Sequence, residues 1–202
     1  MATVTALEVQ KKNKERVNVY VDDAFFCGLS LDDVVRFRLA VGMNLSEMEM
    51  RSISDMGEEN KYFTKALEYT LRSPKTQFQI KQYLYKKQLE TPTINRIIDR
   101  LVALNYINDE QYAEQFVSAK SHKMGVGVIK QKLMQKGVNR DIVGESVAQV
   151  DNQEEPCLAL AEKYMRNKEW TSENMAKLGR YLFSKGFAYD IIVSVKEKLR
   201  KE

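Results

Sequence analysis

One short segment decides the fold, because it occurs three times at a fixed spacing. The copies are Ile80–Gln88 (IKQYLYKKQ), Ile129–Gly137 (IKQKLMQKG) and Leu178–Gly186 (LGRYLFSKG), and their first residues lie 49 positions apart. Each copy has an apolar anchor, a leucine four residues later and a lysine seven residues later, so that the anchor and the leucine share one face of a helix. A constant period of this length predicts tandem repeats of one helical unit.

The sequence on both sides of the copies extends the repeat to three helices. A helical pattern precedes each copy, and apolar residues recur at every fourth position after it: Ile94, Ile98 and Val102; Ile142, Ser146 and Val150; Ile191, Val195 and Leu199. Capping residues predict helix starts at Ser73-Pro74, Thr91-Pro92 and Asn108. Gly137 and Gly186 predict helix ends in the left-handed conformation.

A unit of three short helices cannot close a core alone, so neighbouring units are expected to pack end to end. The expected fold class is therefore mainly α. Tandem three-helix repeats would form an elongated array, curved to the right or to the left, of roughly 60 Å at helix spacings of about 8–10 Å.

The N-terminal segment alternates like strands instead. Val4, Ala6 and Glu8 are expected on one face, and Arg16–Val21 (RVNVYV) places valine at every second position. The polar stretch between these two runs predicts a β-hairpin.

The charge is distributed unevenly over the four domains that the patterns predict. These are a hairpin with short helices at 1–59 and three-helix repeats at 60–108, 109–150 and 151–202. Ser30 and Ser46 are expected to start the short helices. Of the net charge of +4, the segments carry −4, +6, +1 and +1 in chain order. The basic excess of residues 60–108 suits a polyanion or an acidic protein surface.

No set of residues predicts catalysis. His122 has no cysteine or second histidine nearby with which to share a metal ion or build a nucleophile. Gly125–Gly127 lacks the remaining glycine and the preceding strand of a dinucleotide loop, and Cys27 and Cys157 do not have zinc-site spacing. We expect a protein that is not an enzyme and uses no cofactor and no metal. The sequence shows no signal peptide and no membrane-spanning stretch, which predicts a cytoplasmic protein.

Two stretches of the repeats resemble the RecX family, whose members regulate the RecA recombinase. They are Tyr106–Val117 (YINDEQYAEQFV) and Ile129–Val138 (IKQKLMQKGV). The resemblance covers about residues 60–202, and the N-terminal hairpin segment resembles an extension of longer members. It implies a non-enzymatic regulatory protein that binds the RecA–DNA filament, lowers its ATP hydrolysis and strand exchange, and limits filament extension. That role belongs to DNA repair, homologous recombination and the SOS response.

Basic and aromatic residues that differ between the copies are the candidate contacts with a filament or with DNA. They are Lys81, Tyr85, Lys86, Arg96, Arg100, Lys120, Lys123, Lys130 and Lys132. A solvated helix face stays an alternative for each of them. The expected partners under this interpretation are a RecA filament and, weakly and without sequence preference, DNA, bound by a monomer.

Two other functions stay open. A three-helix unit with a glycine turn before its third helix resembles a helix-turn-helix that reads duplex DNA. The third helices of the second and third repeats carry carboxylates that would repel phosphate: Asp141, Glu145, Asp190 and Glu197. The other alternative is an adaptor for an unrelated protein.

Several conspicuous residues have structural interpretations. Lys87, Lys136 and Lys185 are explained as cations that offset the negative end of a helix. The aromatic residues Tyr69, Tyr112, Phe116, Phe183 and Phe187 are expected in the core. Trp170 is expected either to seal the core or to anchor a partner.

Overall fold

Alternating valines and a two-residue turn build the N-terminal sheet. The computed structural model describes residues 1–201. Its strands form one antiparallel sheet of order β3-β2-β1-β4, with β1 at Ala2–Val9, β2 at Arg16–Val21, β3 at Ala24–Ser30 and β4 at Asn44–Leu45. The predicted hairpin is confirmed, with Val17, Val19 and Val21 buried. β3 follows through Asp22 and Asp23, which both have the positive φ of a two-residue hairpin turn.

The predicted face of β1 is wrong beyond Val4. The register against β2 shifts between Val4 and Ala6, and such a bulge reverses the alternation of side chains. Leu7 therefore packs against the same core as Val4.

Capping boxes start the two helices after the sheet, as the sequence predicts. The hydroxyl oxygens of Ser30 and Ser46 accept the N–H groups of Asp33 and Glu49, whose carboxylates accept bonds in return. The helices are α1 (Leu31–Arg36) and α2 (Glu47–Arg72).

The expectation of a short helix at Ser46 is wrong, because α2 runs unbroken for 26 residues. No proline interrupts it. Its one glycine, Gly57, is buried where a Cβ would come 2.7 Å from Leu29 Cδ2, so this residue packs against the sheet and does not end the helix.

Eight further helices complete residues 1–201, and their anchors are buried as the period predicts. Ile80, Ile129 and Leu178, and the leucines four residues after them, are 0% exposed. No helix of this described part of the chain is long and apolar enough to cross a membrane. The helices are α3 (Gln77–Tyr85), α4 (Thr91–Ala103), α5 (Asp109–Lys120), α6 (Val126–Gln135), α7 (Arg140–Ala148), α8 (Glu154–Met165), α9 (Ser172–Ser184) and α10 (Tyr189–Lys201).

The predicted helix starts have mixed outcomes. Asn108 accepts the N–H of Gln111 and caps α5, which confirms that prediction. The start at Ser73-Pro74 is wrong, because Ser73 ends α2 and Thr76 with Gln79 forms the reciprocal cap of α3. At Thr91-Pro92 the proline lies in the first turn as predicted, but Glu90 occupies the cap position.

The chain divides into two compact units. The first consists of Met1–Ser73 with Tyr83–Tyr106, and the second of Pro74–Gln82 with the chain from Ile107 onward. Residues of α3 belong to both, its beginning to the second unit and its end to the first.

In the second compact unit, the start of one repeat's second helix packs against the end of the next repeat's second helix. At the start of α3, Thr76 Oγ1 donates to the carbonyl oxygen of Lys136, 2.6 Å away at the end of α6. At the start of α6, the N–H of Gly125 donates to the carbonyl oxygen of Lys185, 2.9 Å away at the end of α9. Both partners in the second contact lie 49 residues after those in the first, so this helix-end joint repeats with the period of the sequence.

Glycine makes the helix-end joint possible. Gly137 and Gly186 have φ values of +78° and +88°, which confirms the predicted left-handed helix ends. A Cβ on Gly125 would lie 2.2 Å from the carbonyl carbon of Gly186. The N–H of Gly127 donates to the Gly186 carbonyl oxygen at 3.0 Å. The main chains approach so closely that no side chain fits between them.

The repeated lysines lie over aromatic rings. The distances from Nζ to the ring centre are 5.6 Å for Lys87 and Tyr83, 5.9 Å for Lys136 and Tyr112, and 5.2 Å for Lys185 and Tyr181. A cation over a ring face at an exposed site stabilises by about 0.5–1 kcal/mol. Each lysine therefore has a structural role at its helix end, and no ligand is needed to explain its repetition.

We expect Gly125→Ala to lower the free energy of unfolding by about 2 kcal/mol, because the new Cβ would overlap main-chain atoms. Gly144→Ala is the matched control. It lies within α7 with no atom within 4 Å of its Cβ position, so this change is expected to stabilise by about 0.5–1 kcal/mol. Urea unfolding followed by circular dichroism measures both. Equal effects of the two substitutions would contradict the helix-end joint.

Gln88→Gly is expected to stabilise the protein by roughly 0.5 kcal/mol. Gln88 occupies the repeat position of Gly137 and Gly186 with a φ of +62°. This left-handed conformation costs a residue with a Cβ about 1–2 kcal/mol, which exceeds the extra backbone entropy of glycine. Gln82→Gly, the same change inside α3, should instead destabilise by about 1 kcal/mol. Thermal melting of both variants would reveal whether the signs differ.

Candidate interaction surface

The first compact unit holds four of the predicted contact residues, and two of them lie at the end of α3. Tyr85 and Lys86 are exposed. The Tyr85 hydroxyl is 3.2 Å from Oγ1 of Thr91, and Lys86 forms no ion pair with any residue of the described chain. The Lys86 charge is therefore available to a partner.

The other two, Arg96 and Arg100, hold α4 against α2. Arg96 Nε donates to Glu59 Oε2 at 2.6 Å. Arg100 donates to Asn60 Oδ1 at 2.7 Å, and its guanidinium carbon lies 3.9 Å from the centre of the Phe63 ring. Both arginines remain partly exposed, but their charged groups already have partners within the fold.

The five remaining predicted contacts lie in the second compact unit. Lys81 on α3 and Lys120 at the end of α5 are half-buried, whereas Lys123, Lys130 and Lys132 are exposed. Lys130 and Lys132 lie two residues apart on α6, which is roughly half a helical turn. Their side chains therefore point to different sides of the helix. These two lysines do not share one surface.

Phe183 is not in the core, and this prediction is wrong. Its side chain on α9 is 68% exposed, whereas Phe187 is buried as predicted. The 49-residue period of the sequence identifies Phe183 as an outward-facing residue. Phe183 lies 49 residues after Met134 and 98 after Tyr85, and both of those side chains are 44% exposed. Every copy therefore presents a large apolar side chain outward at this repeat position.

The other aromatic predictions fare differently. Tyr69, Tyr112 and Phe116 are half-buried. Tyr69 stacks on Tyr83 with ring centres 4.7 Å apart. Trp170 follows α8 and is 55% exposed, so it does not seal the core.

Phe183 borders two cavities of the second compact unit. The larger, of about 660 Å³, has an apolar wall that includes Val126, Val128 and Ile191, with Lys130 at the same cavity. The smaller, of about 290 Å³, is lined by Arg180, Tyr189 and Lys196. We call the two cavities together with the Phe183 ring the Phe183 groove. Lys130 is the only one of the nine predicted contacts that this groove includes.

Gln153 lines the larger cavity with an unpaired donor. Its side chain is 8% exposed, and its Oε1 accepts the N–H of Val126 at 2.9 Å. This bond shows that the amide oxygen of Gln153 faces the start of α6. Nε2 has no hydrogen-bond partner within the described chain. An unsatisfied buried amide costs about 1–3 kcal/mol, so an acceptor that reached Nε2 from the cavity would stabilise this group.

The thiols do not suit nucleophilic chemistry. Burial raises the pKa of Cys27 and of Cys157 to about 11, so both are protonated at neutral pH, and only the thiolate is a nucleophile. Cys157 is buried, whereas Cys27 is only half-buried. His122 is exposed, and within the described residues 1–201 no three His, Cys, Asp or Glu side chains form a metal-binding group.

The third helices of the second and third repeats carry exposed carboxylates, which do not suit a duplex reader. Asp141 and Glu145 on α7 and Asp190 and Glu197 on α10 are exposed. Like charges would meet the phosphates of DNA if either helix entered a groove.

Comparisons with known proteins match most of the chain. Family models match residues 2–46 ("Regulatory protein RecX N-terminal domain"), 108–146 ("RecX, second three-helix domain") and 152–195 ("RecX, third three-helix domain"). The chain is 33% identical to the regulatory protein RecX of Clostridium botulinum strain Eklund 17B, covering 96% of this chain and 95% of that protein. It is 35% identical to that of Clostridioides difficile strain 630, with 98% and 96% covered.

Solved structures agree with the sequence comparison. One described as "Crystal structure of regulatory protein RecX" has a TM-score of 0.81 at 25% identity and covers 98% of this chain and 100% of that chain. RecX from Lactobacillus salivarius has a TM-score of 0.65 at 28% identity, with 71% and 97% covered. The similarity therefore includes the N-terminal sheet as well as the repeats.

Arg96→Glu is expected to lower the free energy of unfolding by about 1 kcal/mol, because it replaces an ion pair with a second carboxylate beside Glu59. Lys86→Glu makes the same charge change at an unpaired side chain and should leave stability within about 0.5 kcal/mol of the parent. Chemical unfolding of both variants tests this. If both melt like the parent, Arg96 does not hold α4 to α2.

Proposed function

The chain belongs to the RecX family of regulatory proteins, and from this premise we propose that it binds the RecA–DNA filament and inhibits its ATP hydrolysis, strand exchange and extension. The observation that carries the proposal is the similarity to RecX regulatory proteins over nearly the whole chain. In this proposal the protein acts in the cytoplasm as a monomer, in DNA repair, homologous recombination and the SOS response. The division into four domains at 1–59, 60–108, 109–150 and 151–202 stays a prediction.

Repetition supports binding to a filament. A filament presents the same surface many times, and a chain built from copies of one unit presents similar outward positions more than once. Linked weak contacts then reinforce one another, because after the first contact the others form at a high local concentration. The exposed repeat position of Tyr85, Met134 and Phe183 is such an outward position.

Regulation by binding also fits the chemistry of the described residues. The two thiols are protonated at neutral pH, and His122 is exposed. The nine residues predicted to contact filament or DNA are cations and one tyrosine, which bind anions and ring faces. We therefore propose a protein without an enzymatic activity of its own.

We expect this protein to inhibit ATP hydrolysis by RecA on single-stranded DNA at concentrations well below those that coat the same DNA without RecA. Lys86→Glu combined with Lys132→Glu should raise the half-inhibitory concentration about tenfold, because exposed cations steer and hold an anionic partner. Lys12→Glu with Lys14→Glu makes the same total charge change in the turn between β1 and β2 and should have little effect.

Three outcomes would contradict these expectations. Unchanged hydrolysis with the parent protein would refute filament regulation. Tight, sequence-dependent binding to duplex DNA without an effect on RecA would favour the helix-turn-helix alternative. Inhibition that the Lys86 and Lys132 changes leave intact would exclude these two lysines as contacts and leave the function itself in place.

A further inference from the structure

The Phe183 groove presents aromatic faces to solvent. Phe183 is 68% exposed and Tyr189 is 76% exposed, and both line the smaller cavity. Two exposed rings on one surface are costly in water and are typical of a binding site. Their flat faces suit a planar ligand that can stack on them.

The charge of the groove is positive. Lys130, Arg180 and Lys196 line its cavities, and no Asp or Glu is among the lining residues. On α10 the residues at the smaller cavity share one face, and Asp190 and Glu197 lie off that face. Glu173 on α9 is not among the lining residues. Its pKa is lowered first by its hydrogen bond with Lys177, with a smaller contribution from Arg180.

The buried amide adds a specific donor. Gln153 lines the larger cavity, its buried Nε2 is unpaired, and the bond from Val126 fixes the orientation of the amide. A ligand that fills this apolar cavity and carries an acceptor on its edge would satisfy the donor. The keto oxygens and ring nitrogens of nucleobases are such acceptors.

We propose that the Phe183 groove binds a single nucleic-acid strand, with a base stacked on Phe183, a neighbouring base at Tyr189 and phosphates at Lys130, Arg180 and Lys196. Exposed aromatic rings combined with cations are the general means of binding single strands. A duplex hides its base faces in the stack and should bind less well. Gln153 Nε2 donates to the edge of the base in the larger cavity.

This site adds to the proposed function, because it would give a filament regulator its own contact with the single strand. The biological context of the site rests on that proposed function. The binding itself does not require RecA. The two proposals can therefore fail separately.

The test is fluorescence anisotropy with a fluorescein-labelled oligothymidylate of about 16 nucleotides, the upper site size of a small single-strand-binding fold. Phe183→Ala should weaken binding about tenfold, the loss typical of one stacked base. Three cations at phosphates predict that log K falls with log salt concentration with a slope of about −2. Phe25→Ala removes a ring that is 61% exposed in the first compact unit and should not weaken binding.

Gln153→Glu separates binding from folding. The carboxylate still accepts the Val126 N–H at the start of α6, where a negative charge is favourable, and this gain offsets the cost of burying the charge, so the melting temperature should stay within a few degrees of the parent. The same change removes the donor and adds a charge that repels phosphate, so binding should fall at least fivefold. A residue with a structural role alone would not lose binding while the protein keeps its stability.

Each result decides something. Loss of oligothymidylate binding in both groove variants, with the Phe25 variant unaffected, supports the site. No binding by the parent protein, or equal binding by the variants, overturns it. If Phe183→Ala weakens only the inhibition of RecA, the groove holds a protein segment and the nucleic-acid inference is wrong. If the parent binds the strand through the groove but leaves RecA hydrolysis unchanged, the inference stands and the proposed function fails.

Discussion

The structure of the second compact unit depends on how unsatisfied groups at helix ends pair with one another. A helix leaves carbonyl groups free at its end and N–H groups free at its start. Here the carbonyl oxygens of Lys136 and Lys185 accept from Thr76 and Gly125, which begin the preceding repeat's second helix. Because each helix ends in a left-handed glycine, the two main chains can approach within hydrogen-bonding distance. The joint at Gly125 pairs main chain with main chain, whereas at Thr76 the side-chain hydroxyl makes the bond to the facing carbonyl group.

A joint of this kind fixes which side of a helix faces inward. Ile129 and Leu178 are fully buried, and the position five residues after each anchor lies outside the apolar stripe. Tyr85, Met134 and Phe183 occupy that position in the three copies and are all exposed. The fold thus constrains the anchors and glycines strictly and leaves the outward position free to differ between copies.

The sequence predicted what depends on local spacing. Helix periodicity, Asn108 as a cap and the left-handed Gly137 and Gly186 can all be recognised within a few residues, and the structure has them. The bulge after Val4, the pairing of β4 with β1 and the joint itself bring distant residues together, so no local pattern contains them. The close fit of Gly57 against Leu29, which explains why a glycine lies inside the unbroken α2, is likewise a contact between distant elements.

The candidate site was only partly predictable for the same reason. Lys130 can be recognised from the sequence because its charge is visible there, but the same criterion also selects Arg96 and Arg100, whose charged groups have partners on α2. Phe183 cannot be recognised from its residue type, because an aromatic residue beside an apolar stripe resembles a core residue. Its repeat position, shared with the exposed Tyr85, does identify it.

The third copy differs from the others through a residue outside the repeated segment. Gln153 stabilises the start of α6 with its oxygen alone. A carboxylate or hydroxyl at this position would accept the same N–H without leaving a buried donor unpaired, and caps of that kind are the common choice at helix starts. The fold therefore has no need of Nε2. That amide lies at the cavity beside the most exposed of the three outward side chains, so the feature that packing does not explain coincides with the surface best suited to a ligand.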